Sequence, residues 1–126
     1  MPMTEMTTAA LELFGEGWNR HDVDFLMTFM HDDCVFETTA GPEVCGKRYA
    51  GRESVREAFA RVFKMFPDAH FGQARHFVAG DRGCSEWIFT GTGTDGKRVE
   101  VAGCDLFTFR GGKIAVKNSF FKQRLA

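Results

Sequence analysis

Gly103-Cys-Asp-Leu-Phe-Thr-Phe-Arg-Gly-Gly-Lys-Ile-Ala-Val-Lys-Asn-Ser-Phe-Phe-Lys122 reads as two strands joined at a glycine pair. Its apolar residues alternate, so one face of each strand is set to be buried. Asp105 interrupts that pattern, since carboxylates are depleted in strands and almost never fully buried without a partner. Asp105, Phe107 and Phe109 share one face; Cys104, Leu106 and Thr108 share the other. Which residues of the next strand join Asp105 depends on the turn. A two-residue Gly111-Gly112 turn sets Asn118 opposite it, whereas a three-residue Arg110-Gly-Gly112 loop, with Gly112 left-handed and a bulge, sets Lys117 there. A slip of one residue sends every side chain to the other face. We favour the longer loop, which gathers Lys117, Ser119 and Phe121 with Asp105, Phe107 and Phe109 on the wall of an aromatic hollow. There Asp105 is either unpaired and poised to give or take a proton, or paired with Lys117 and structural.

Working outward, the period of two continues upstream. Strands are expected over 70–79, 84–92 and 98–109, broken at Gly80-Asp-Arg-Gly83 and Thr94-Asp-Gly-Lys97, with the last strand over 113–121. Before Pro67 the period is helical. Leu11, Phe14 and Trp18 form one stripe of a helix over 7–20. Asp22 caps a second helix carrying Val23, Leu26, Met27 and Met30, which stops near His31-Asp-Asp33. A short strand over 34–38 and a glycine-rich loop over 40–51 follow. A third helix over 53–66 has Val55, Phe59, Val62, Phe63 and Phe66 as its apolar stripe and ends at Pro67. Helices first and a meander of long strands last give an α+β fold, with a sheet that buries one face on the helices, in a single domain over 1–126.

The totals narrow the function. Of 126 residues, 44% are apolar and 26% charged, the balance of a soluble globular chain. A net charge of −1 supplies no basic field, so nucleic acid is not an expected partner. Phe occurs 14 times against a single Tyr, a surplus of ring volume that suits either a solid core or an apolar cavity wall. Cys34, Cys45, Cys84 and Cys104 show no C-x-x-C and no zinc-finger spacing, so no metal is expected. Met1-Pro-Met-Thr-Glu-Met6 lacks the regions of a signal peptide and no apolar run reaches membrane length, so the expected setting is cytoplasmic, with free thiols and no membrane partner.

Trp18-Asn-Arg-His-Asp22, Phe29-Met-His-Asp-Asp33, Tyr49-Ala-Gly-Arg-Glu53, Phe66-Pro-Asp-Ala69 and Phe107-Thr-Phe-Arg-Gly-Gly-Lys-Ile114 resemble landmarks of the nuclear transport factor 2-like superfamily. More narrowly, they resemble its SnoaL-like and ketosteroid isomerase-related members, over about residues 7–122. The resemblance implies a conical α+β roll: a curved, mainly antiparallel sheet around three helices, a pocket at the wide end, and a homodimer. It implies a small apolar organic ligand, no cofactor, and isomerase, cyclase or dehydratase chemistry on a carbonyl compound, or else a non-catalytic ligand-binding or dimeric interaction module. Of the ketosteroid isomerase set, only the late aspartate is matched, by Asp105; Phe14 stands where the tyrosine falls and Thr38 where the base falls. The Asp-Arg-Asp set of the epoxide-hydrolase members has no counterpart around Ser85-Glu-Trp-Ile88 or at Ser119. The cyclases' aspartate is matched by Asp105, but their histidine, near Thr92-Gly93, is not.

The candidate site follows. Asp105 is the candidate acid or base, with Glu86 as a second carboxylate should it face inward beside Trp87. Phe14, Trp18, Thr38, Phe59, Phe63, Phe107, Lys117, Ser119 and Phe121 are the expected pocket residues. His70 and His76 share strand parity at roughly 20 Å, too far apart to hold one metal, and read as surface or dimer-interface residues. Thr90-Gly-Thr-Gly-Thr-Asp-Gly-Lys97 lacks the order of a phosphate loop and reads as a hairpin.

Overall fold

A computed structural model describes residues 5–125. Residues 1–4 and 126, part of the expected single domain and of the signal-peptide reading, lie outside the described residues. The elements run α1 (Thr8–Asn19), α2 (Val23–Met27), β1 (Met30–Glu37), β2 (Arg48–Ala50), α3 (Arg52–Met65), β3 (His70–Ala79), β4 (Arg82–Thr92), β5 (Arg98–Arg110) and β6 (Lys113–Phe121). The three helices pack on one face of a curved six-stranded sheet of order β2-β1-β6-β5-β4-β3, an α+β fold. All neighbours are antiparallel except β1 and β6.

Local chemistry sets the helix ends. The Thr7 hydroxyl accepts the Ala10 N–H at 3.1 Å and starts α1, and the Asp22 carboxylate accepts the Phe25 N–H at 3.0 Å and starts α2. Contrary to expectation, α2 stops at Met27, and Met30 opens β1. Tertiary pairing overrides the helical pattern here: the Phe29 carbonyl accepts the Ile114 N–H at 2.8 Å, and Met30 lies beside Ile114 of β6. Arg52, at the start of α3, clamps the same junction by donating to the carbonyls of Met30 and Met27. The expected loop over 40–51 also contains β2, three residues that pair with β1 from Val35–Ala50 to Glu37–Arg48. So short an edge strand carries no visible alternation.

The β5–β6 hairpin departs from the expected turn yet keeps the expected facing. Arg110 pairs with Lys113 across Gly111 and Gly112, whose φ angles of 57° and 74° fit a two-residue primed turn. The extra residue lies further on, as a bulge at Ala115, where the register moves from Phe109–Ile114 to Thr108–Val116. Asp105 therefore opposes Ser119, and Lys117 opposes Phe107. Both strands send these side chains inward, toward a core built from Leu11, Phe14, Trp18, Val55, Phe59 and Phe107.

Gly103 is paired with Trp87, and a Cβ there would run into the indole ring and the Phe120 carbonyl. Gly103→Ala is expected to destabilise the fold by about 1–3 kcal/mol, as overpacking does. Thermal unfolding, where that loss is a drop of several degrees, checks it.

Candidate functional site

The inner faces of β4, β5 and β6 deliver Trp87, Asp105, Lys117 and Ser119 to one point beneath α1 and α3. Asp105 is buried and accepts three hydrogen bonds. Its Oδ1 receives the Lys117 ammonium at 2.9 Å and the Ser119 hydroxyl at 2.5 Å; its Oδ2 receives the Trp87 indole N–H at 3.0 Å. The Ser119 oxygen also accepts from Lys117 at 2.9 Å. Lys117 is itself buried, and its Nζ lies 4.8 Å from the centre of the Trp18 ring and 4.7 Å from that of Phe36. A buried ion pair persists only when its remaining lone pairs and protons are matched, and here a hydroxyl, an indole and ring faces do so. Of the two arrangements open for Asp105, the paired one is present, and both its oxygens are taken.

Two adjoining hollows meet at this cluster, of about 300 and 430 Å³, both lined by Trp18, Phe71, Trp87 and Lys117. Phe14, Phe107 and Asp105 line the smaller; Thr38, Ser119 and Phe121 line the larger. Phe59 and Phe63 line neither. Phe59 is fully buried in the core with its ring 4.8 Å from Trp18, and Phe63 stacks on His21 at 4.3 Å. Glu86 is exposed on the outer face of the sheet, because alternation gives the inward place to Trp87, so it supplies no second carboxylate. The Trp18 indole N–H is a buried donor with no partner among the described residues.

His76 was not legible as a pocket residue. A bulge between Gly72 and Arg75, with Gln73 at φ 53°, breaks the parity that the sequence assigned to His70 and His76. His70 pairs with Thr90 and is exposed, whereas His76 pairs with Ser85 and lines the smaller hollow. His76 Nδ1 lies 2.7 Å from the Ser85 hydroxyl, and Glu12 and Glu16 of α1 line the same hollow. Burial holds the His76 imidazole below its ordinary value; the carboxylates of Glu12 and Asp105 pull it part of the way back. A neutral imidazole facing a hollow can accept a proton at neutral pH. Three of the thiols are poor nucleophiles, since burial pushes Cys84 up to about 11, with Cys104 beside it on the outer face, and also raises Cys34 and Cys104. Among the described residues, no group of three or more His, Cys, Asp or Glu is placed to hold a metal ion, and no helix is long and apolar enough to cross a membrane.

A sequence model described as the SnoaL-like domain matches residues 11–117, most of the chain and all of the elements that build the hollows except the ends of α1 and β6. The chain belongs to the SnoaL-like domain family. Solved structures agree on the fold. An NTF2-like protein of unknown function from Mesorhizobium loti is 26% identical, with a TM-score of 0.74 over 92% of this chain and 90% of that one. A protein from Xanthomonas campestris, provisionally described as a polyketide cyclase, is 19% identical, with a TM-score of 0.79 over 91% and 89%. A hypothetical protein with a ketosteroid isomerase-like fold from Catenulispora acidiphila, solved with trimethylamine, is 19% identical, with a TM-score of 0.78 over 93% and 88%. Comparison with curated proteins gave no match. The SnoaL-like chain thus shares its frame with these proteins.

Two outcomes are expected. Lys117→Met strands a buried carboxylate and costs about 3–5 kcal/mol, and Asp105→Asn strands a buried ammonium at a similar cost. The two losses do not add: in urea unfolding the double variant is no less stable than the worse single one. The second outcome concerns pH. On acidification the unfolded chain binds the His76 proton before the folded chain does. Stability from this group is therefore full above about pH 6.5 and declines as pH falls from there through the lower folded value. Melting curves of the wild type and of His76→Gln check this, the variant lacking that part of the slope.

Proposed function

We propose that this SnoaL-like protein binds a small, largely apolar organic compound in the paired hollows, through a carbonyl or enol oxygen that meets Lys117. One observation carries this reading. An ammonium has three protons to donate. Asp105 and Ser119 receive two of those of Lys117, and the third has only ring faces near it at the junction of the two hollows. A charged donor held in place in a water-poor site is suited to polarising a carbonyl or stabilising an enolate. Asp105 and Ser119 position Lys117, and His76, facing the smaller hollow, is the proton acceptor. Isomerase, cyclase or dehydratase chemistry needs only these groups. The trimethylamine held by the Catenulispora protein supports the use of this fold for small organic molecules.

A second reading, binding without chemistry, draws support from the occupied oxygens of Asp105 and the outward Glu86. A homodimer belongs to either reading, and Phe77 and Phe120, exposed on the outer face of the sheet, are suited to it.

The test is a thermal-shift screen with carbonyl, phenolic, polyketide-like and steroid compounds. A ligand at about 100 times its dissociation constant stabilises by about 2.7 kcal/mol, a rise of several degrees. Hits sharing one oxygen function, weakened in the Lys117→Met, Asp105→Asn double variant, are expected, and a flat screen sinks the proposal. Among the hits, His76→Gln is expected to lower any turnover by about 100-fold while leaving binding in place. Binding with no turnover in the wild type decides for the second reading.

A further inference from the structure

The larger hollow has a charge pattern that the Lys117 anchor leaves unused. Its wall is apolar, with Phe36, Val62, Phe66, Phe89, Val99 and Phe121 among the lining residues. Its charged lining residues are Lys47, Arg61 and Lys117, and no Asp or Glu lines it. Lys117 is neutralised by Asp105, but Lys47 and Arg61 pair with no carboxylate among the described residues. Neighbouring cations do find carboxylates: Arg48 pairs with Glu37, Arg56 with Asp24 and Arg98 with Asp68.

The two unpaired cations are gathered on one residue, the single tyrosine of the chain. Arg61 Nη1 donates to the Tyr49 hydroxyl at 2.8 Å, and the guanidinium carbon lies 5.5 Å from the centre of the Tyr49 ring. Lys47 Nζ lies 5.3 Å from the same centre. Tyr49 in turn stacks on Phe36, whose ring underlies Lys117. The cations thus sit together at the exposed edge of an otherwise apolar cavity, held by aromatic contacts and not by counter-charge.

We infer that the larger hollow takes an amphipathic organic carboxylate, its apolar body among the rings and its carboxylate at Lys47, Arg61 and the Tyr49 hydroxyl. The planar guanidinium presents paired donors that match a carboxylate, the phenol adds one more, and Lys47 adds point charge. The inference rests on the binding proposed above and narrows it. A compound with a carboxylate at this rim and a carbonyl further in satisfies both Lys47–Arg61 and Lys117.

Calorimetric titration with naphthoate and with its neutral amide, at low and high salt, tests the assignment. Naphthoate is expected to bind about tenfold more tightly than the amide at low salt, with the advantage shrinking at high salt. In the Lys47→Gln, Arg61→Gln double variant the two probes are expected to bind equally, and the thermal stability of the variant to match the wild type, since both side chains are exposed. Equal binding of acid and amide by the wild type overturns the carboxylate inference and leaves the binding proposal standing. Failure of both probes overturns the hollow as a ligand site, and the proposed function with it.

Discussion

The ion pair between Asp105 and Lys117 is the constraint around which the inner face is arranged. Removing two charges from water is expensive, and their mutual attraction repays it only when every remaining donor and acceptor is matched. The surroundings can be read as that matching. Ser119 stands opposite Asp105 and bridges to Lys117, Trp87 turns its indole N–H to the second carboxylate oxygen, and Trp18 and Phe36 lay ring faces against the ammonium. Packed hydrophobic residues would fill the same volume at less cost. A fold that keeps the pair holds a fixed charge at the meeting point of two cavities, which is what a site for an oxygen-bearing apolar compound requires.

That placement depends on single residues that shift the strands. Ala115 is an extra residue in β6, and without its bulge the two-residue Gly111-Gly112 turn would leave Asn118 opposite Asp105 and turn Lys117 outward. The bulge beside Gln73 does the same for β3, bringing His76 inside while His70 stays out. Gly103 makes room for the indole that reaches Asp105. The chemistry of the site is therefore set by local departures from regular strand pairing as much as by which side chains are present.

Those departures mark where the sequence could and could not be read. Alternation over β3 to β6 and the helical stripes of α1 and α3 were legible because each element is long enough to show its period. The inward facing of Asp105, Lys117 and Ser119 was legible too, although a longer loop was expected to do what a short turn and a later bulge do together. The hidden features share a cause. The end of α2 and the start of β1 are fixed by pairing with a strand more than eighty residues away, and β2 exists only because β1 offers it an edge. His76 depends on a bulge that leaves no compositional mark, and the rim of Lys47, Tyr49 and Arg61 joins residues from a loop, a three-residue strand and the exposed face of a helix.

The parallel pairing of β1 with β6 also bears on how the protein comes into being. β6 lies in the middle of the sheet, between β1 and β5, although it is the last strand in chain order. Every earlier element is made before the strand that joins the two halves exists, and that strand also carries Lys117. Until β6 is in place, β1 and β5 have no common neighbour, and neither hollow has its Lys117. Contacts of such sequence separation are slow to close. Closure of the sheet and completion of the proposed binding site thus depend on one and the same strand.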